Sequence, residues 1–507
     1  MDKQFDVIVV GAGNGGLTAA ANTAKAGLKT LLLEKHNIPG GCATSFRRGR
    51  FEFEPSLHEL CSVGTAEKPN KVYKIFDKVG AKINWRYETG HLFRAIVTGD
   101  NGYDVRVAAG LEAFCESLDA AVPGCKNAVR KFIMLKPKLD AAIDYITATK
   151  GNPNGLVMLL KHADFMRVAS HSTEEVMTAC GIPQKAQNIL NTYWGYLGVP
   201  TDELNCMHYL NMLYGYMNDG AAMPQHRSHE MSLSLIDSIQ RNGGEVWFNT
   251  EVTEFLYNDD GSCAGVVAGG NKLYAKEVIS NIIPHNVYSM SEAGKAPEHS
   301  VKLANAREFG MSFVTIYLGL DCTADELGMK DDYSIFVMND QNPRVQYEKR
   351  ADGGFYVFNC LNNVVPDSSP EGTCTLFFTL PISGPDMPKD LCPENYKKYK
   401  NEIAKRYIES AEKVLGIDIM SHIEEISVAT PVTFARYLGT PDGEIYGYKL
   451  SDWDNLMART AGEKNDFTIP GLTFCGGHHV RGDGYSSAYI NGDAQAQKVI
   501  KRLKGGA

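Results

Sequence analysis

Phe5-Asp6-Val7-Ile8-Val9-Val10, then Gly11-Ala12-Gly13-Asn14-Gly15-Gly16, then an alanine-rich run, then Thr30-Leu31-Leu32-Leu33-Glu34, is the stretch that decides the fold. Its first residues are β-branched and apolar, as a strand buried on both faces must be. Leu17 to Ala26 is rich in alanine and free of proline, which predicts a helix. Thr30 to Leu33 reads as a second strand, ended by Glu34. The result is a βαβ start with three glycines in its turn, each with a physical task. Gly11 permits the tight turn, Gly13 lets backbone approach a pyrophosphate, and Gly16 lets helix and strand pack closely. The helix N-terminus offers N–H groups and the positive end of its dipole to phosphates. Glu34 is placed to accept hydrogen bonds from a ribose diol. Strand, turn, helix and acid together predict a dinucleotide site.

A carboxylate at position 34 repels a 2′-phosphate, which disfavours NADP and leaves FAD and NAD. Working outward, Pro39-Gly40-Gly41-Cys42-Ala43-Thr44-Ser45-Phe46 brings a second glycine pair soon after that acid. Gly40 and Gly41 let another backbone segment run close to the cofactor. This resembles FAD-binding proteins of the two-dinucleotide-binding-domain class. The Gly-Gly-x-Cys pattern is also similar to that of disulfide reductases, which need a second cysteine shortly after. Position 47 is Arg47 and the next cysteine is Cys61, so no redox disulfide is expected.

The far end of the chain agrees. Ile469-Pro470-Gly471-Leu472-Thr473-Phe474-Cys475-Gly476-Gly477 reads as a short strand running into a glycine turn, and Gly482-Asp483-Gly484-Tyr485 opens a helical tail. A glycine turn at a helix start again supplies N–H donors, here suited to the electron-rich edge of a flavin. The chain resembles the flavin-dependent phytoene desaturase family, which includes carotenoid isomerases and retinol saturases. Gly243-Gly244-Glu245-Val246-Trp247-Phe248-Asn249-Thr250-Glu251-Val252 resembles the family's strand pair beside the adenine, and Val278 to Pro284 its return to the cofactor domain. Thr430-Pro431 and Thr440 to Gly447 resemble the segment before the C-terminal flavin motif. The resemblance implies FAD held by Gly11, Gly13, Gly16, Glu34, Gly40, Gly41, Val252, Gly476, Gly477, Asp483 and Gly484.

The expected fold is α/β: a Rossmann-like FAD-binding domain interwoven with an α+β substrate domain. A chain of 507 residues is too long for one small core. Residues 1–90, 224–284 and 423–507 are assigned to the FAD-binding domain, and 91–223 and 285–422 to the substrate domain. Ser312 to Leu318 and Thr373 to Leu380 read as strands roofing the substrate cavity. Leu156-Val157-Met158-Leu159-Leu160, extended by Phe165 and Met166, is a dense apolar patch. It reads as helix core, tunnel lining or a shallow membrane-contact surface.

A net charge of −9 argues against a nucleic-acid partner. No charged-then-apolar leader precedes Phe5, so no signal peptide is expected. No apolar run approaches the ~20 residues a spanning helix needs. The 12 cysteines lack close-spaced pairs, which predicts reduced thiols and no metal centre. A cytoplasmic protein, peripheral at membranes, is the expectation.

Three places carry candidate chemistry beyond the flavin itself. His58 comes soon after Phe53-Glu54-Pro55-Ser56, where the family tends to show Phe-Asp-x-Gly, and retinol saturases resemble this chain in placing a histidine shortly after. It is a candidate acid or base with a pKa tunable near neutrality, or a structural histidine. His226 and Arg227 stand where the family usually has small residues; they point either to a substrate with a polar or carboxylate head or to a shifted loop with both side chains in solvent. Arg481, where the family often has proline, is a cation beside the flavin motif. The aromatic groups Tyr193-Trp194-Gly195-Tyr196 and Tyr214-Gly215-Tyr216 are candidate cavity lining or core. The implied activity is desaturation, saturation or isomerisation of carbon–carbon bonds in a hydrophobic polyene, retinoid-like molecule or unsaturated fatty acid. A flavin-dependent amine oxidase and a flavin-binding protein without turnover are the alternatives.

Overall fold

In a computed structural model the chain forms two seven-stranded sheets and a helical unit beside them. The structure describes residues 3–149, 151–292, 294–451, 453–462, 469–482 and 484–505. The first sheet is the α/β Rossmann-like layer. Its parallel centre runs Glu245–Trp247, Thr30–Leu33, Lys3–Val10, Asn271–Ser280 and Leu472–Phe474. Val252–Tyr257 and Cys263–Ala268 extend it as an antiparallel hairpin on the outer half of Asn271–Ser280. Val7, Ile8 and Val9 have no accessible surface, as a doubly covered parallel strand requires.

Helix Asn14–Lys25 follows the first strand, and its residues 14–24 are buried. It lies between the sheet and helices Arg227–Arg241 and Tyr485–Lys504. Two glycines set these distances. A Cβ on Gly16 would sit 2.0 Å from the carbonyl oxygen of Gly11, and one on Gly492 would sit 2.3 Å from that of Gly15. The N-terminal turn and the C-terminal helix are thereby locked together although they are far apart in sequence.

The second sheet runs Ile423–Ala429, Val314–Leu320, Cys374–Leu380, Phe355–Cys360, Ser334–Met338, His91–Val97, Tyr103–Ala108. Neighbours are antiparallel except Ser334–Met338 with His91–Val97. Helix Pro393–Leu415 contributes Ile403, Ala404, Tyr407, Ile408 and Ala411 to the core on one face of this sheet. Strand Ile423–Ala429 corrects the boundary drawn at residue 423. It is only partly buried up to Ala429, with Glu424 and Ile426 exposed, as an edge strand is, and it pairs with Val314–Leu320 rather than joining the parallel sheet.

The helical unit spans Leu111–Ala121 to Cys206–Asp219, with Tyr193 and Trp194 fully buried in its core. A two-stranded ribbon, Trp85–Tyr87 with Ala222–Pro224, joins it to the Rossmann-like layer. Part of the apolar patch is core and part is surface. Met158 and Phe165 are buried, whereas Leu156, Leu159, Leu160 and Met166 are 65, 64, 72 and 56 % exposed. No helix among the described residues is long and apolar enough to cross a membrane.

Candidate active site

A cavity of about 450 Å³ runs from the glycine turns of the first sheet to the inner face of the second. At one end lie Gly11, Gly13, Asn14 and Gly15, with Gly40 and Gly41 opposite. The two turns meet through a bridge between Gly13 and Gly40, and Gly40 N–H donates to Ala12 O at 2.8 Å. A Cβ on Gly15 would stand 2.7 Å from the amide nitrogen of Gly476, so the C-terminal turn closes on the same point. Asn281 ties them together, accepting from Gly16 N–H at 3.1 Å. Helix Asn14–Lys25 has neither a side-chain cap nor an acid in its first turn. The buried Oδ1 of Asn14 has no hydrogen-bond partner. These features leave a donor-rich, backbone-lined slot of the kind a pyrophosphate occupies.

Glu34 borders the slot. Its Oε2 accepts from Ala12 N–H at 2.7 Å and its Oε1 from His36 N–H at 2.8 Å. Both bonds fix the carboxylate and leave each oxygen a further acceptor position for a ribose diol. Val252 lines the cavity beyond it, beside Thr250 and Glu251. Gly476, Gly477 and Gly484 line it at the C-terminal turn, where helix Tyr485–Lys504 starts without a side-chain cap. Gly16 does not reach the cavity and serves the helix–strand approach. Asp483 lies outside the described residues. The residues present therefore suit a bound dinucleotide.

The other end is built from different segments. His58, Glu59, Tyr196, His208, Tyr216 and Arg481 line it, under Phe313, Thr315 and Thr379 of the second sheet. His58 sits between the rings of Tyr196 and Phe377, with Nε2 2.7 Å from Thr379 Oγ1. Burial pushes its pKa down to about 3, so it is neutral near pH 7 rather than poised there. The group poised near neutrality is its neighbour. Glu59 is 4 % exposed, and burial pushes its pKa up to about 7. Glu88 stands behind it, raised first by burial and then by the charge of Glu59. Two buried carboxyls facing each other cannot both ionise, and one keeps a proton. Glu444, also on the cavity wall, is pushed up to about 8 by burial, although Gly447 N–H donates to it. Sequence reasoning passed over Glu59 and Glu444. Their burial is set by segments distant in the chain, so no local signal marks them.

His226 and Arg227 are corrected by the structure: neither lines the cavity. His226 is exposed, and its N–H donates to Glu230 Oε2 at 2.9 Å. Arg227 has φ +60° and turns its side chain inward. Its Nε donates to Glu52 O at 3.1 Å, Nη2 donates to Ser368 O, and Nη1 lies 3.5 Å from Glu52 Oε2. Two carbonyls and a carboxylate satisfy this charge, which leaves none of it for a substrate. Cys42 lines the cavity as a free thiol whose pKa burial pushes up to about 12. Among the described residues, Asp321, Cys322 and His422 could together hold a metal ion, but none of them lines the cavity.

Residues 9–79 match the family model of an NAD(P)-binding Rossmann-like domain. The chain is 26 % identical to the all-trans-retinol 13,14-reductase of Danio rerio, over 88 % of this chain and 78 % of that protein. It is 24 % identical to the chloroplastic prolycopene isomerase of Daucus carota, over 99 and 81 % of the two chains. It is 25 % identical to the 4,4′-diapolycopene oxygenase of a Methylomonas species, over 98 % of each. An oxidoreductase from Methanosarcina mazei superposes with a TM-score of 0.65 at 16 % identity, covering 98 % of this chain and all of that one. Putrescine oxidase bound to putrescine superposes with a TM-score of 0.65 at 15 % identity, covering 99 and 100 %. At such identities the two structures speak for the fold alone.

Proposed function

Since this chain belongs to the flavin-dependent phytoene desaturase, carotenoid isomerase and retinol saturase family, we propose that it is an FAD-dependent oxidoreductase acting on carbon–carbon bonds of a hydrophobic polyene. The observation that supports this best is the single cavity joining the glycine slot to an aromatic chamber with a buried carboxyl pair. In this reading Gly11, Gly13, Gly40, Gly41, Gly476, Gly477 and Gly484 bring backbone against the cofactor, Glu34 holds its ribose and Val252 borders the adenine. The residues 1–90, 224–284 and those after Ala429 form the FAD-binding unit, and 91–223 and 285–429 the substrate unit.

When bound, FAD supplies hydride transfer to or from a carbon of the substrate. Saturating a double bond also needs a proton at the neighbouring carbon, and desaturation needs one removed. Glu59 is the group we assign to that proton. It faces the cavity, its pKa lies near working pH, and Glu88 behind it can share the proton. Tyr196 fixes Glu59 by donating to Oε1 at 2.9 Å. Tyr196, Tyr216 and Phe313 offer flat faces to a conjugated chain and help exclude water. His58 positions Thr379 as a neutral partner.

Leu156, Leu159, Leu160 and Met166 form the surface through which the protein would meet a membrane that stores such a substrate. The protein would then work in the cytoplasm, docked peripherally.

The test is spectroscopic. Acid precipitation of the purified protein should leave a yellow supernatant containing FAD. A dithionite-reduced sample mixed anaerobically with a polyene should regain the oxidised flavin spectrum as the substrate is saturated, or an oxidised sample should bleach as it is desaturated. No flavin after reconstitution would sink the cofactor assignment. Bleaching by amines and not by polyenes would turn the reading to amine oxidation.

A further inference from the structure

Arg481 is a half-buried charge without a partner among the described residues. It lies on the cavity wall, in the loop between strand Leu472–Phe474 and helix Tyr485–Lys504. Its Nε is buried and unbonded, and it has no hydrogen bond or ion pair with the described residues. The buried arginines differ. Arg459 is held by Asp454 at 2.7 Å, and Arg227 by Glu52 and two carbonyls. Burying a guanidinium without a counter-charge is costly, and arginine does not escape that cost by losing its proton.

The surroundings add to the deficit of negative charge. Lys71 lies near enough for the two cations to repel. His208 also lines this part of the cavity, is 8 % exposed, and has both ring nitrogens buried without a partner. Burial, with the charges of Arg459 and Arg481, keeps it neutral. Asp140, the carboxylate whose field reaches Arg481, is already paired with Lys136. Next to this polar corner are Leu197, Met212 and Tyr216. An apolar chamber ending in an unneutralised cation and unbonded imidazole nitrogens fits an amphiphile with an anionic head.

We propose that Arg481, assisted by His208, binds the carboxylate of an unsaturated acid. This rests on the polyene reading above and narrows its substrate class. The guanidinium donates to a carboxylate in two-pronged geometry, and His208 has a nitrogen able to donate to it. The neutral polyene alcohols and hydrocarbons of the same length would leave the charge unsatisfied.

The test uses the FAD-loaded protein with all-trans-retinoic acid and its methyl ester as probes, read by equilibrium binding and by thermal shift. The wild type should bind the acid about ten- to hundredfold more tightly than the ester, the range expected for hydrogen bonds to a charged group. Arg481→Gln should bring the acid down to the level of the ester, and Arg481→Lys should restore part of the gap. Without a probe, Arg481→Gln should melt no lower than wild type, since it removes a charge that nothing satisfies. Equal binding of acid and ester by the wild type overturns the assignment of Arg481 and leaves the polyene reading standing. Binding of neither probe overturns both. A Gln variant that keeps the preference for the acid but shifts the flavin reduction potential overturns the assignment by moving Arg481 to the cofactor. A Gln variant that melts far lower than wild type does so by making the residue structural.

Discussion

The phenol of Tyr196 donates to Oε1 of Glu59 at 2.9 Å, while Oε2 of that carboxyl is buried. Burial disfavours the ionised form, hydrogen bonding with Glu88 and Tyr196 favours it, and burial wins, so the folded-state pKa rises from 4.5 to about 7. A carboxyl whose folded pKa exceeds its unfolded value holds its proton more tightly in the native state. The stability it contributes is full below pH 4.5 and is lost as pH rises to about 7. Glu59→Gln removes that dependence. Urea unfolding should show the variant gaining on the wild type between pH 5 and pH 8 by roughly 1–3 kcal/mol, since a tenfold change in proton affinity is worth ~1.4 kcal/mol. Parallel pH profiles for the two proteins would show that Glu59 ionises normally.

The same substitution separates proton transfer from binding. Removing a general acid typically slows a reaction by about 10²–10⁴-fold. Glu59→Gln should slow flavin oxidation by a polyene within that range, with FAD content and probe affinity unchanged. His58→Asn should slow it far less, because His58 is already neutral. A reversal of that order in stopped-flow traces would return the role to His58.

Gly16→Ala should cost the protein its cofactor site. The added methyl would stand 2.0 Å from Gly11 O, and that oxygen belongs to backbone that cannot step aside alone. Overpacking of this kind costs about 1–3 kcal/mol, and here the strain falls on the turn that forms the slot. The expected result is a lower melting temperature together with loss of FAD on gel filtration. Full FAD occupancy in the variant would show that helix Asn14–Lys25 can retreat from the strand.

The N-terminal fold was legible because its requirements are local. Strand, glycine turn and helix follow one another within residues 3–25, and each demand falls on a residue type that sequence displays. Arg227 was misread because its partners are distant in the chain. Glu52 and Ser368 lie 175 and 141 residues away along the chain. Glu59 is adjacent to His58, yet its raised pKa comes from burial by segments distant in the chain, which no local pattern reveals. The run 156–160 shows a related limit. Apolar density identifies a sticky helix, but only the packing of its neighbours decides that Met158 points in and Leu159 points out.

Arg227→Ala should behave as a stability variant. It deletes donors to Glu52 O and Ser368 O and a contact with Glu52. Hydrogen bonds from a charged group are worth about 1.5–3 kcal/mol, so the melting temperature should fall while the ratio of acid to ester binding stays at the wild-type value. A lost preference for the acid in a protein that melts normally would place Arg227 at the substrate after all.

Leu159 and Leu160 provide the last prediction, since their exposure has a cost that a membrane would remove. They lie on helix Gly155–Lys161, 64 and 72 % exposed, with Leu156 and Met166 exposed nearby. Each leucine transferred from water gains about 1.5–3 kcal/mol at full burial. The double variant Leu159→Glu/Leu160→Glu should therefore lower partitioning onto vesicles by at least about tenfold, the equivalent of ~1.4 kcal/mol. Lys161 on this helix and Arg167 on the following helix Ala163–Val168 are exposed, so anionic vesicles should bind better than neutral ones, and salt should weaken the difference. The melting temperature of the double variant should stay near wild type, because exposed positions contribute within about 0.5 kcal/mol. Met158→Ala is the control. Met158 is 6 % exposed, so its truncation should destabilise the fold by about 2–5 kcal/mol while leaving the surface leucines in place. Flotation assays distinguish the outcomes. If the double glutamate variant floats with vesicles as well as the wild type does, the patch is not the membrane contact.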